Sequence, residues 1–458
     1  MYYFLPGALL LYFLAPHKLK NTVLLLASLV FYAFGEPRFL LLMVLDILLA
    51  YFSGILIEIF HRQKWDRLFL ILSLCISLGL LGYFKYADFL ISNVNRLTGL
   101  NIPLLQIALP VGISFYTFQL LSYTIDVYRG KVRAQRNLID LAAYIASFPQ
   151  LIAGPIVRYA DIEKSLTLRT SSLDGIASGI RRFVFGLSKK VLLANSLGEL
   201  CEIFKVSDDK SVLFFWLYAI AFTLQIYFDF SGYSDMAIGL GRLLGFDFPE
   251  NFNYPYTSTS ITQFWRKWHM TLGSWFRDYL YIPLGGNRVG KVRWLLNIFI
   301  VWLATGLWHG ASWTFVLWGL LYGLLLVIEK LGLHRLLEKS RIISHVYVML
   351  LVILGFVIFN ADGLKEAFNY LTSMFGLKGY PLLSGEFLYY LKSYGVTLAI
   401  SILASTPFFP KLAKRFSMLK SGAVLIQIAE PLLLLLLMLT VTAYLVDGSF
   451  NPFLYFRF

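Results

Sequence analysis

WLLNIFIVWLATGLWHGASWTFVLWGLLYGLLLVIE, residues 294–329, is a predominantly apolar run with one ionisable residue inside it. Between Trp294 and Glu329 the one Asp, Glu, Lys, Arg or His is His309. At about 1.5 Å per residue the run is long enough for more than one crossing of a roughly 30 Å hydrocarbon core. It is therefore expected to break near Gly306 or Gly310. A polar ring near such a break costs free energy unless it lines a cavity or does chemistry, so an intramembrane ionisable residue is a functional candidate. The plain alternative is a core histidine satisfied by a neighbouring hydroxyl or carbonyl.

Immediately upstream, TSITQFWRKWHMTLGSWFRDYLYIPLGGNRVGKVRW (259–294) carries a second histidine, His269, among many Arg, Lys and Trp. Eight of the ten tryptophans lie between Trp265 and Trp318. Interfacial girdles would spread them over every helix end; their concentration here points to a built cavity or an interfacial element. Phe264, Trp265, Trp268, Leu272, Trp275 and Phe276 recur at helical spacing with Arg266, Lys267 and Arg277 between them. That pattern predicts a basic amphipathic helix at the membrane surface. GGNRVGKV (285–292) nearly spells a phosphate-binding loop, but Val292 stands where a hydroxyl would hold Mg²⁺. What remains is a Gly-rich basic turn, either a solvated loop or a phosphate contact through Arg288, Lys291 and Arg293.

Over the full 458 residues, 58% are hydrophobic and only 14% charged, against about 25% charged in soluble domains. The composition specifies an all-α polytopic membrane protein with no room for a soluble domain. Continuous apolar runs such as Val424–Tyr444 exclude a barrel, which would alternate. The net charge of +14 is explained by positive-inside loops rather than by nucleic acid. Cys75 and Cys201 form no metal or disulfide framework. The N-terminal MYYFLPGALLLYFLAP lacks a basic n-region and is expected to be a first membrane segment.

Further apolar segments are Thr22–Phe34, Phe39–Phe60, Leu68–Tyr86, Leu104–Val127, Ile342–Phe359 and Leu388–Pro407. Alternating loop charge puts the N-terminus outside, and Arg129–Arg136, Arg266–Arg293 and Lys411–Lys420 in the cytosol, with NPFLYFRF pointing outward. The middle, 138–230, is apolar but interrupted by Arg181, Arg182, Lys189, Lys190 and Gly-Pro, which predicts half-crossing, re-entrant elements buried in protein. There FPQLIAGPIVRY (148–159) reads as a break, with Arg158 snorkelling. Asp229 and Asp235 in YFDFSGYSDMAIGLG (227–241) are carboxylates in an apolar, Gly-rich run. They serve to accept a proton, to orient an imidazole, or to satisfy backbone donors where the chain unwinds. Nucleophile elbows, H-E-x-x-H and C-x-x-C are absent, leaving histidine as a general base acting directly on a bound acceptor.

At these residues the chain resembles the membrane-bound O-acyltransferase (MBOAT) family, and within it the bacterial branch typified by alginate O-acetylation. The matching strings are SFYTFQLLSYTIDVYRG (114–130), FPQLIAGPIVRY, FDFSGYSDMAIGLGRLLGFDFPENFNYPY (228–256), FWRKWHMTLGSWFRDYLYIPLGGN (264–287), TGLWHGASWTFVLWG (305–319) and the terminal NPFLYFRF. Teichoic-acid D-alanylation proteins share the WH and WFRDY elements, whereas IPLGGN looks more like the acetylation branch. The resemblance implies a single transmembrane domain over 1–458, a ring-like helical bundle with re-entrant elements and a central funnel, with about 10–12 membrane helices. Its N-terminal helices would be 1–137, its catalytic core 138–329 and its C-terminal helices 330–458.

The same resemblance implies an O-acetyltransferase of the bacterial inner membrane. It would use acetyl-CoA as co-substrate, with no resident cofactor or metal, and act with an extracytoplasmic SGNH-type or polysaccharide-assembly partner. His309 and His269 match the family's two active-site histidines. His309 would take the proton of the acceptor hydroxyl, and His269 would donate to the developing oxyanion or thiolate, or orient the acyl group. Arg266, Lys267, Arg277, Arg288 and Arg293 are candidates for the coenzyme phosphates. Asp278, Trp308, Trp313, Asp229 and Asp235 complete the candidate binding set. Competing readings are D-alanyl transfer to teichoic acid, a proton-coupled transporter or flippase using His309, Asp229 and Asp235, and a non-catalytic scaffold.

Overall fold

The computed structural model describes residues 2–419 and 422–447; Lys420 and the NPFLYFRF motif lie outside the described residues. Every regular element among the described residues is helical. Nine helical stretches among them are long and apolar enough to cross a membrane: His17–Gly35, Pro37–Ile59, Lys64–Thr98, Val212–Leu243, Lys291–His309, Trp313–Leu337, Arg341–Asn360, Gly385–Ala404 and Gly422–Asp447. The chain is an all-α, multi-pass membrane protein. Its helices sort into two compact units, Met1–Ile180 with Ala237–Pro249, and Arg181–Met236 with Glu250–Phe458.

The first unit holds α1 (Phe4–Leu14), α2 (Lys20–Gly35), α3 (Leu40–Ile59), α4 (Lys64–Thr98), α5 (Ile113–Tyr128), α6 (Leu138–Ile145), α7 (Tyr159–Leu168) and the start of α8 (Leu173–Ser188). Two sequence expectations change here. The run Leu104–Val127 is not one helix: Pro103 and Pro110 lack backbone donors, Gly112 sits at φ 79°, and the helix begins only at Ile113. Conversely, α4 continues past Tyr86, where the apolar segment ends, through Asp88–Thr98, and stops at Gly99 with φ 74°, a left-handed cap that favours glycine. The Asp88 carboxylate accepts from the N–H groups of Leu105 and Gln106 at 2.7 and 2.9 Å, which ties the irregular stretch back to that helix. The Gly-Pro segment 148–159 is an irregular, buried turn; Tyr144 donates to the Val157 carbonyl (2.8 Å) and Gln150 to the Tyr144 carbonyl (2.7 Å). Non-helical backbone is tolerated in a membrane protein where protein, not lipid, surrounds it.

The second unit begins within α8, passes a wide π turn (Lys189–Ala194) and continues through α9 (Asn195–Val206) and α10 (Val212–Leu243). Then follow α11 (Ile261–Trp265), α12 (Met270–Phe276), α13 (Lys291–His309), α14 (Trp313–Ile328), α15 (His334–Leu337), α16 (Arg341–Asn360), α17 (Leu364–Met374), α18 (Gly385–Ala404), α19 (Phe408–Ser417) and α20 (Gly422–Asp447). The core is aromatic, built from Phe214, Phe222, Phe228, Phe264, Trp318, Tyr322 and Phe356, each at most 2% exposed.

The apolar run that contains His309 does divide, at Gly310–Ser312. Helix α13 is 19 residues, about 28 Å at 1.5 Å per residue, and ends on the histidine itself. Ser312 then caps α14, its hydroxyl accepting from the Thr314 N–H. Gly306 is not a break but a contact: a Cβ there would lie 2.3 Å from the Phe315 carbonyl oxygen, and one on Gly319 would lie 2.3 Å from that of Trp302. Two glycines let the backbones of α13 and α14 touch, as small residues do between membrane helices.

Candidate active site

His309, the last residue of α13, is 4% exposed, and His269 is 2% exposed. Between them stands Trp308, whose ring centroid is 5.6 Å from the His269 imidazole and 5.0 Å from that of His309. Trp318 and Phe359 wall His309 edge-on at 5.1 and 5.2 Å, and Phe230 meets His269 at 4.7 Å. Two imidazoles forty residues apart in the chain thus share one aromatic chamber.

His269 reaches that chamber by a break, not on a surface helix. The amphipathic helix expected across 264–276 is interrupted at residues 266–269. There His269 adopts φ 44°, ψ 54°, a left-handed conformation that costs a non-glycine residue of order 1 kcal/mol or more. The conformation is imposed by backbone pairing with a neighbouring segment. The N–H of Asn253 donates to the Lys267 carbonyl (3.0 Å) and the N–H of Met270 to that of Asn251 (2.9 Å). The buried Glu329 carboxylate accepts from the N–H groups of Ile261 and Thr262 at 2.6 and 3.0 Å, pinning the start of α11. The helical spacing was genuine, but Phe264, Trp268, Leu272, Trp275 and Phe276 are all buried, so it recorded packing into protein rather than a face on lipid.

Electrostatically the site favours neutral imidazole. Burial holds the pKa of His269 well below its ordinary 6.5, and nearby His309 pushes it the same way. The cause is loss of solvation, which penalises the charged ring.

Asp229 and Asp235 lie on α10, which stays helical through the Gly-rich run; the unwound stretch considered from sequence does not occur. Both are ion-paired. Asp229 pairs with Lys190, while Asp235 accepts from Arg182 at 2.8 Å and Lys189 at 2.6 Å. Arg182 also grips Glu250. The π turn lets consecutive lysines both reach α10, and close approach at Gly186 and Gly232 brings the elements together; a Cβ on Gly186 would fall 2.6 Å from the Gly232 carbonyl oxygen. Asp229→Ala removes a charge partner from buried Lys190 and is expected to cost roughly 3–5 kcal/mol. A Lys190→Met/Asp229→Leu double variant should recover most of that loss. Thermal unfolding in detergent checks this, and an Asp229→Ala chain as stable as wild type yet inactive would give the carboxylate a chemical role instead.

The basic candidates stand apart. Arg266, Arg277, Arg288 and Arg293 are exposed. Arg277 is already engaged by its neighbour Asp278 at 2.7 and 3.1 Å, and half-buried Lys267 donates to the Thr257 hydroxyl at 3.0 Å. Trp313, at 49% exposure, opens α14 on the surface, unlike Trp308.

Sequence reasoning missed Asn251, Phe230, Trp318 and Phe359. Asn251 is fully buried and hydrogen-bonded to His269 through Nδ1 at 3.0 Å. Its only sequence signal is an Asn-rich, Pro-flanked irregular stretch, PENFNYP, of the sort that positions rather than packs.

The sequence model of the family described as MBOAT, membrane-bound O-acyltransferase, matches residues 131–373, which contain every residue of this chamber. The chain is 44% identical over 392 residues to the probable alginate O-acetylase of Azotobacter vinelandii, covering 83% of this chain and 78% of that one. It is 36% identical over 416 residues to the peptidoglycan O-acetyltransferase of Helicobacter pylori, covering 83% and 79%. Against the teichoic acid D-alanyltransferase of Bacillus subtilis it is 29% identical over 272 residues, covering 55% and 68%.

Proposed function

Since the chain belongs to the membrane-bound O-acyltransferase family, we propose that it moves an acetyl group from cytosolic acetyl-CoA to a hydroxyl of an extracytoplasmic polysaccharide or peptidoglycan. Transfer runs directly or through an SGNH-type partner, at the bacterial inner membrane. The chain is an O-acyltransferase; donor and acceptor are the proposal. The observation that carries it is the pair of buried imidazoles flanking Trp308. One imidazole takes the hydroxyl proton as the oxygen attacks the thioester carbonyl, and the other faces the charge that develops on oxygen or sulfur. The order expected from sequence is His309 as base and His269 as partner. A neutral His269 ring suits either part at physiological pH. The exposed cations Arg266, Arg288 and Arg293 are free of the chamber and suit the coenzyme's phosphates by charge.

D-alanyl transfer is the second reading, favoured by the Bacillus subtilis relative. Identity and coverage are both higher toward proteins named for O-acetylation, and acetyl is the acyl group we assign. Membrane vesicles test the donor and its side. Labelled acetyl-CoA supplied to inverted vesicles should label polymer in the lumen, whereas sealed right-side-out vesicles given the same donor outside should stay unlabelled. Equal labelling from the outer face would overturn the cytosolic donor route, and no labelling in either orientation would favour a carrier-bound acyl group.

A further inference from the structure

We propose that Asn251 is a positioning residue that holds His269 as its Nδ1–H tautomer, so that His269 meets the acceptor hydroxyl with the lone pair of Nε2. The proposal rests on the acyl-transfer reading for its chemistry and on hydrogen-bond geometry for the tautomer. It reverses the order of roles expected from sequence.

Asn251 Oδ1 receives the Thr271 backbone N–H at 3.3 Å and the Thr271 hydroxyl at 2.9 Å. A backbone N–H always donates, so the amide atom facing it is the oxygen. On its other side Asn251 Nδ2 donates to Ser234 Oγ at 3.1 Å, which fixes the amide's orientation from α10. A carbonyl oxygen cannot donate. The hydrogen between Asn251 Oδ1 and His269 Nδ1, 3.0 Å apart, therefore belongs to the imidazole. Neutral imidazole carries one ring hydrogen, so Nε2 is bare.

That nitrogen is buried and, among the described residues, meets no hydrogen-bond partner. A desolvated lone pair is costly until a donor arrives, and the acceptor hydroxyl is such a donor. Two further constraints hold the arrangement. The left-handed backbone at His269 aims the ring, and Arg182 clamps Glu250, the residue before Asn251, while also holding Asp235 on α10.

The step balances as follows. The hydroxyl oxygen forms its bond to the thioester carbonyl carbon while its proton passes to His269 Nε2. The carbon–sulfur bond then breaks, and the thiolate leaves as a thiol by taking that proton. His309 is left to face the carbonyl oxygen. The titratable group facing His269 is His309 at the end of α13. Phe230 of α10 and Trp308 of α13 are uncharged, and the α10 carboxylates Asp229 and Asp235 are each neutralised by Lys190 and by Lys189 with Arg182.

Two measurements test this. In full-length protein carrying nitrogen-15 histidine in nanodiscs, the His269 ring signals are assigned by their loss in His269→Gln. They should report a protonated Nδ1 and a bare Nε2; a protonated Nε2 overturns the proposal. Asn251→Asp is nearly isosteric, keeps an acceptor against Nδ1 and adds negative charge, which favours imidazolium. The base then protonates at higher pH, so the acid limb of CoA release from acetyl-CoA, with unacetylated alginate oligosaccharide as acceptor, should move up by about one to three pH units. Asn251→Leu should lower kcat roughly 10²-fold with little change in KM for acetyl-CoA. An unmoved acid limb in N251D, or wild-type kcat in N251L, makes Asn251 merely structural and overturns the proposal. A wild-type chain that releases no CoA sinks direct transfer from acetyl-CoA to an alginate hydroxyl instead, and the ring signals still decide the tautomer.

Discussion

His309→Ala is expected to leave the protein inserted and monodisperse while lowering O-acetylation of the surface polymer by about 10²–10⁴-fold, the usual loss when a proton-transferring or oxyanion-facing group is removed. The structural cost should be tolerable. The ring ends a helix rather than bridging one, and its edge contacts with Trp308, Trp318 and Phe359 leave a lined cavity when it is truncated. Such cavities cost a few kcal/mol, spread over a second unit with an extensive aromatic core. Acetyl content of the polymer, measured beside detergent elution of the purified variant, checks both halves. A variant present at wild-type level with wild-type acetylation would remove His309 from the chemistry.

Gly306→Ala should be nearly as damaging although it adds only a methyl group and touches no candidate catalytic atom. That methyl would sit 2.3 Å from the Phe315 carbonyl oxygen, and backbone cannot rotate out of the way as a side chain can. Helices α13 and α14 must then part by on the order of 1 Å, a strain of the overpacking kind. His309 lies three residues beyond Gly306 and Trp318 immediately before Gly319, so the displacement passes straight into the chamber. A misplacement of that size can cost about 10²-fold in rate, and the unfolding temperature should fall as well. Gly395→Ala, on α18 with nothing within 4 Å of the added carbon, is the matched control and should be neutral or slightly stabilising. Equal activity and melting in the two variants would show that the glycine contact is not what holds the helices together.

Apolar run length, helical periodicity and loop charge are local properties, and they were enough for the helical membrane class, for His309 as a polar exception and for a break near Gly310. Where the expectations failed, a local pattern had two tertiary explanations. The spacing of Phe264, Trp268, Leu272 and Trp275 suits a helix lying on lipid and a broken helix buried in protein equally well; only the pairing of residues 251–253 with 267–270 decides. Asp229 and Asp235 in a glycine-rich run suit a proton path or an ion-paired seam, and the lysines that choose between them lie some forty residues upstream.

Taken alone, the amino-acid order determined that this chain spans a membrane on helices, that His269 and His309 are its chemical candidates and which family they resemble, because apolar length and residue type act within one segment. Only the tertiary structure decided that Trp308 joins the two imidazoles, that Gly306 and Gly319 are a contact, and that Asn251 dictates which nitrogen of His269 carries hydrogen. Those depend on distances between segments remote in the chain, and a hydrogen bond or a backbone contact of about 3 Å leaves no trace in residue spacing.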